Sequence, residues 1–168
     1  MSVHEHHRRA AGRHLKMAVI TASDTRAADD DESGRLIREL LEAAGHQVAH
    51  YAVVPDEPER IVRVVGLALT ACDGAIVNGG TGIAPRDRTI EALRPMLDRE
   101  IEGFGELFRM LSYQEIGAAA MLSRAIAGIA GGRLIAALPG SPAGCRLAME
   151  KLLLPELGHI GHLLGLGA

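Results

Sequence analysis

Tryptophan is missing, and two Phe and two Tyr are the only other aromatic side chains in 168 residues. So few rings exclude the stacking platforms on which single-stranded nucleic acid is held. Excess positive charge is missing too. Eighteen Lys and Arg stand against 21 Asp and Glu, for a net charge of −3 with neutral His. No basic stripe interrupts that balance, so nucleic acid is not an expected partner. No apolar run approaches the roughly 18–20 residues of a membrane span, and no apolar signal-peptide core stands near the N-terminus. The expectation is a cytoplasmic protein with no membrane partner. Cys72 and Cys145 are too few and too far apart for a legible disulfide framework. They suit a reducing compartment, buried in apolar surroundings.

Aliphatic residues are what the chain has in quantity; 48% of it is hydrophobic, enough for one domain with a full core. Residues 1–13 are polar, with His4, His6, His7 and three arginines. They read as a flexible tail ahead of a single domain over 14–168; a metal role for the His-Glu-His-His string is the alternative. Beyond the tail, strands and helices alternate. Leu15 to Thr21, Val48 to Val54 and Gly74 to Val77 read as strands. Helices are expected after Asp29-Asp30-Asp31-Glu32-Ser33 to about Ala44, from Glu57 to about Ala71, from Thr89 to Leu97 with Pro95 as a point of kinking or shortening, and over Ile101 to Leu111. Arg124 to Ile129 and Arg133 to Leu138 read as a hairpin about Gly131-Gly132. Pro142 to about Leu154 reads as the last helix, with a glycine-broken tail over 158–168. The fold class is α/β, three-layered, with a mostly parallel sheet, helices on both faces and a small antiparallel edge.

The run Val77-Asn78-Gly79-Gly80-Thr81-Gly82-Ile83-Ala84-Pro85-Arg86-Asp87-Arg88-Thr89 is the most informative. A strand empties into a glycine loop that ends in a carboxylate between two arginines. Glycines let backbone N–H groups approach a ligand, and a loop between strand and helix is a ready anion site. Pro85 occupies the third small position of a dinucleotide fingerprint, and no Gly-Lys-Ser/Thr of a Walker A loop follows. In open α/β sheets ligands bind at the carboxyl ends of the strands. Those ends here are Thr21-Ala22-Ser23-Asp24, Pro55-Asp56-Glu57, the glycine loop with Asp87, and Pro139-Gly140-Ser141-Pro142. Four polar or glycine-rich segments are expected on one rim. Each has a plainer reading: Asp56 and Asp87 could cap the helices that follow them, and Ser141 before Pro142 is a strong N-cap.

Taken together, the segments resemble the MoaB/MogA family of molybdenum cofactor biosynthesis, which includes the gephyrin G domain. The resemblance rests on Gly79-Gly80-Thr81-Gly82, Arg86-Asp87-x-Thr89, Asp98 through Glu106, Phe108 through Ser112, Leu122-Ser123-Arg124-Ala125 and Leu138-Pro139-Gly140-Ser141-Pro142. The stretch Glu102 through Ser112 resembles the MoaB branch more. The resemblance implies binding of molybdopterin, a dithiolene-bearing pterin, and adenylylation of it by Mg-ATP with release of pyrophosphate. It also implies a homo-oligomer, either trimer or hexamer. The family's two acids match Asp56 and Asp87, implied as catalytic and as holders of Mg2+, with ATP as co-substrate. Ser23, Gly79, Gly80, Thr81, Gly82, Arg86, Pro139, Gly140 and Ser141 are the expected substrate-binding positions. Arg86 or Arg88 would steady charge on the leaving pyrophosphate. Two other functions remain open: a non-catalytic molybdopterin-binding or scaffold protein, and a nucleotide hydrolase of the competence-damage branch. Thr81 and Arg86 depart from the loop pattern of that branch.

Overall fold

The structure, a computed structural model, describes residues 12–167; the His4 to His7 string lies outside the described residues. The strands are β1 (Lys16–Ala22), β2 (Gln47–Val54), β3 (Gly74–Asn78), β4 (Arg99–Glu100), β5 (Ile126–Ala130) and β6 (Arg133–Leu138). The helices are α1 (Glu32–Ala43), α2 (Pro58–Ala68), α3 (Thr89–Leu93), α4 (Glu102–Ile116), α5 (Pro142–Ala148) and α6 (Leu154–Leu164). The sheet order is β2-β1-β3-β6-β5-β4. The first four strands are mutually parallel, and β5 is antiparallel to both β6 and β4.

Period-two alternation along the strands divides the core in two. Met17, Val19, Ile76, Leu134 and Ala136 face one way, against α1, α4 and α5 through Ile37, Leu41, Phe104, Phe108 and Cys145. Ala18, Ile20, Val77, Ile135 and Ala137 face the other way, against α2 and α3 through Ile61, Val65, Ile90 and Leu93. The sheet thus lies between helices on both faces, as the sequence predicts.

The connections set where a ligand crevice can open. The chain leaves β1 toward α1 on one face and leaves β3 toward α3 on the other. Between those neighbouring strands the connections diverge, and the carboxyl end of that gap is the switch point of a doubly wound sheet. Several element boundaries differ from the sequence reading, among them the helix predicted over Ile101 to Leu111, which runs on to Ile116. The helix predicted over Thr89 to Leu97 ends at Leu93 and tightens into a 3-10 turn, Arg94–Met96, where Pro95 cannot donate an i−4 bond. Two-residue β4 carries no periodicity from which it could be read. The supposed tail over 158–168 is helical to Leu164. The chain passes Pro155 through a π turn at Met149–Leu153, which accommodates the missing N–H.

Candidate active site

β1 and β3 end side by side, with Thr21 in register with Asn78. Gly79 leaves β3 at φ +95, and its N–H donates to Leu138 O of β6 at 3.1 Å. A Cβ there would run into the carbonyl oxygen of Ala22, so only glycine permits this approach of loop to strand. Below the rim lies a buried polar network. Thr21 Oγ1 and the Tyr51 hydroxyl donate to Asp31 Oδ2 at 2.5 and 2.8 Å, and Asn78 Nδ2 donates to Thr21 Oγ1 at 2.8 Å. Asp31 Oδ1 also accepts the Gly34 N–H at 3.0 Å, capping α1. One carboxylate thereby ties β1, β2 and the α1 N-terminus to the floor of the site.

Above this floor opens a cavity of about 240 Å³, lined in part by Ser23, Asp24, Arg26, Asp56, Gly79, Gly80, Arg86 and Gly140. A second hollow of about 440 Å³ shares Ser23, Asp24 and Arg26 and extends to Val53, Val54 and Pro55. The polar segments after β1, β2, β3 and β6 do meet on one rim.

Asp56 is the unusual group in that rim. Glu57, not Asp56, is the N-cap residue of α2, and no side chain bonds there. Asp56 Oδ1 is buried without a hydrogen-bond partner, and so is Thr89 Oγ1. Both lie against Gly80, where a Cβ would meet them. Burial, and after it the negative charge of Asp87, push the Asp56 carboxyl above the ordinary carboxylate range. Its N–H is held by Asp24 Oδ1 at 2.8 Å, and Asp24 Oδ2 pairs with Arg86. Asp87 does not cap α3 either; its Oδ2 accepts the Ala84 N–H at 3.0 Å and lies over Gly82.

The family described as "Probable molybdopterin binding domain" matches residues 18–159. The chain belongs to that family. The chain is 52% identical over 163 residues to the molybdenum cofactor biosynthesis protein B of Halalkalibacterium halodurans, covering 95% of each. A crystal structure of a molybdenum cofactor biosynthesis protein B superposes with a TM-score of 0.90 at 50% identity, over 92% of this chain and 98% of that one. The tungsten cofactor synthesizing protein MoaB of Pyrococcus furiosus superposes at 0.82 with 37% identity, over 92% and 99%. The MoaB/MogA resemblance and the α/β fold it implied are thereby shown.

Of the positions expected for this family, Ser23, Asp56, Gly79, Gly80, Arg86 and Gly140 line the cavity. Thr81, Gly82, Asp87, Pro139 and Ser141 do not line it. Thr81 is buried. Ser141 Oγ accepts the Gly144 N–H at 3.2 Å as the cap of α5, and Pro139 O accepts the Cys145 thiol at 3.1 Å. Three residues to which the sequence reading gave no individual site role hold the site together. Asp24 braces Asp56 and Arg86, and its place after β1 was signal enough to find it. Arg26 Nη1 donates to Gly140 O at 3.1 Å, joined there by Ser33 Oγ at 2.8 Å. Arg124 grips the glycine loop from 42 residues beyond Gly82, a distance that no local pattern bridges.

Proposed function

We propose that the chain acts in molybdenum cofactor biosynthesis as a molybdopterin adenylyltransferase. It binds molybdopterin and Mg-ATP, and a phosphate oxygen of the pterin attacks the α-phosphorus of ATP. The new P–O bond forms as the bond to the β-phosphate oxygen breaks, and pyrophosphate leaves. One observation carries this reading: a buried, unpartnered carboxylate oxygen of Asp56 beside the glycine loop, with the Asp87 charge close enough to disfavour its ionisation. Two acids that repel one another are a poor structural device and a good cation-holding one.

Among the described residues no cluster of three or more His, Cys, Asp or Glu side chains could hold a metal. Mg2+ takes one or two protein carboxylates and completes its shell with phosphate and water. Asp56 and Asp87 would hold it, and bound Mg2+ would supply the charge neutralisation that lets two anionic phosphates approach. The residues themselves position. The loop amides of Gly80, Thr81 and Gly82, unpaired among the described residues, would meet phosphate oxygens, Ser23 offers a hydroxyl, and Arg86 offsets charge gathering on the leaving group. Two adjoining hollows sharing one wall suit two ligands that must meet. The same reading takes the chain as a cytoplasmic homo-oligomer, either trimer or hexamer.

The test is pyrophosphate release from Mg-ATP in the presence and absence of molybdopterin. Wild-type protein is expected to release it only with the pterin. Asp87→Asn and Asp56→Asn should each lower the rate by about 100–1000-fold with an unchanged oligomer. An Asp87→Asn protein that turns over normally sinks the assigned role. Pterin binding without release would instead indicate a scaffold, and nucleotide hydrolysis without pterin would indicate the competence-damage activity.

A further inference from the structure

Arg124 stands just ahead of β5, and β5 runs antiparallel to β6. Its start therefore lies at the rim where the parallel strands end. From there the side chain reaches the glycine loop. Nε donates to the carbonyl oxygens of Thr81 and Gly82, each at 3.0 Å, and Nη2 donates to Asp87 O at 3.0 Å. The Glu91 carboxylate pairs with the same guanidinium and is held below its ordinary range by it. Three carbonyls of one loop thus converge on one planar fork of donors, a geometry that a lysine cannot reproduce.

The chemistry of the peptide gives this convergence a direction. No described peptide bond is cis, and in a trans peptide the carbonyl and the next N–H point opposite ways. The amides of Gly82, Ile83 and Arg88 therefore face away from Arg124. Among the described residues the N–H groups of Gly80, Thr81, Gly82 and Ile83 meet no acceptor within the chain. Successive unpaired amides of this kind form an anion-binding concavity. If the carbonyls were released, they could rotate toward the same space and repel an anion instead.

We propose that Arg124 is a positioning residue, which tethers the carbonyl edge of the 79–88 loop so that its amide edge meets the phosphate groups of the ligand. This deepens the reading of the rim as a polyanion site and rests on it; Arg124 itself touches no substrate.

The test uses the full chain carrying Arg124→Gln or Arg124→Lys, with Mg-ATP and inorganic pyrophosphate as calorimetric probes. The Gln variant is expected to weaken both by at least about 10-fold, and Lys to recover only part of the loss. A second readout needs no ligand: backbone 15N order parameters of Gly80 and Gly82 should fall from near 0.85 toward about 0.6 in the Gln variant, with those of β3 unchanged. A loop that stays rigid in the Gln variant overturns the tether, whatever binds. A loop that loosens while both affinities stay at the wild-type level overturns the claim that the tether aims the amides. Wild-type protein that binds neither probe overturns the rim as a polyanion site, and the ligand half of the proposal falls with it.

Discussion

His46 accepts the Leu15 N–H on Nδ1 at 3.1 Å, where the chain enters β1, and His14 stands edge-on to it with ring centroids 6.4 Å apart. Burial, and then the His14 charge, hold the His46 pKa below the ordinary histidine value of 6.5. A base with a lowered folded pKa binds fewer protons in the native state, so its contribution is present above pH 6.5 and is lost as pH falls below that value. Thermal unfolding across about pH 7.5 to 5 should show Tm declining on acidification, and His46→Asn, which keeps an acceptor, should flatten that decline. An equal slope in the variant removes His46 from the account. Legibility at this scale followed sequence distance. Asp56 and Asp87 could be marked because each directly follows a strand or a glycine loop. Arg124 stood only within a family segment, and its role could not be read, since it depends on a reversed strand bringing residue 124 back beside residue 81.

The α1 N-terminus shows how much one element rests on a single cap. Asp31 is 1% exposed and accepts from Thr21, Tyr51 and Gly34. Tyr51, its pKa pushed up to about 12 chiefly by burial and then by its bond to Asp31, remains a protonated donor. Asp31→Ala should cost roughly 3 kcal/mol, because it removes a cap and leaves buried hydroxyls unmatched. Calorimetry should register a Tm about 6–12 °C lower, and a loss under 1 °C would deny the network any structural weight. The acidic run before α1 and the Gly45 stop, at φ +86, were readable because both are local chemistry. The C-terminal helix was misread because glycine there does not end the helix. Gly161 is small because a Cβ would meet Leu15 Cδ2 at 2.8 Å, a packing need invisible in a one-dimensional pattern.

At the scale of the molecule, the alternation of strands and helices made the sheet and its rim readable, whereas which side of a helix stays uncovered was not. Leu107, Met110, Tyr113 and Ile116 recur every third residue along α4 and are 46–64% exposed. Such a row on a helix forms one apolar ridge. Light scattering should find the homo-oligomer of the proposed reading, and Met110→Glu with Tyr113→Glu should shift it to monomer; a wild-type monomer at micromolar concentration would refute the assembly. Cys72 and Cys145 are the chain's only sulfhydryls, 1% and 0% exposed, and burial chiefly raises both pKa values, that of Cys145 to about 12. Ellman's reagent should therefore find none in the native protein and both after denaturation. Sulfur inertness has a practical side: a carrier of an oxidation-prone dithiolene would present that cargo with no thiolate of its own to scramble it, and the purified protein should keep in air without covalent cross-linking.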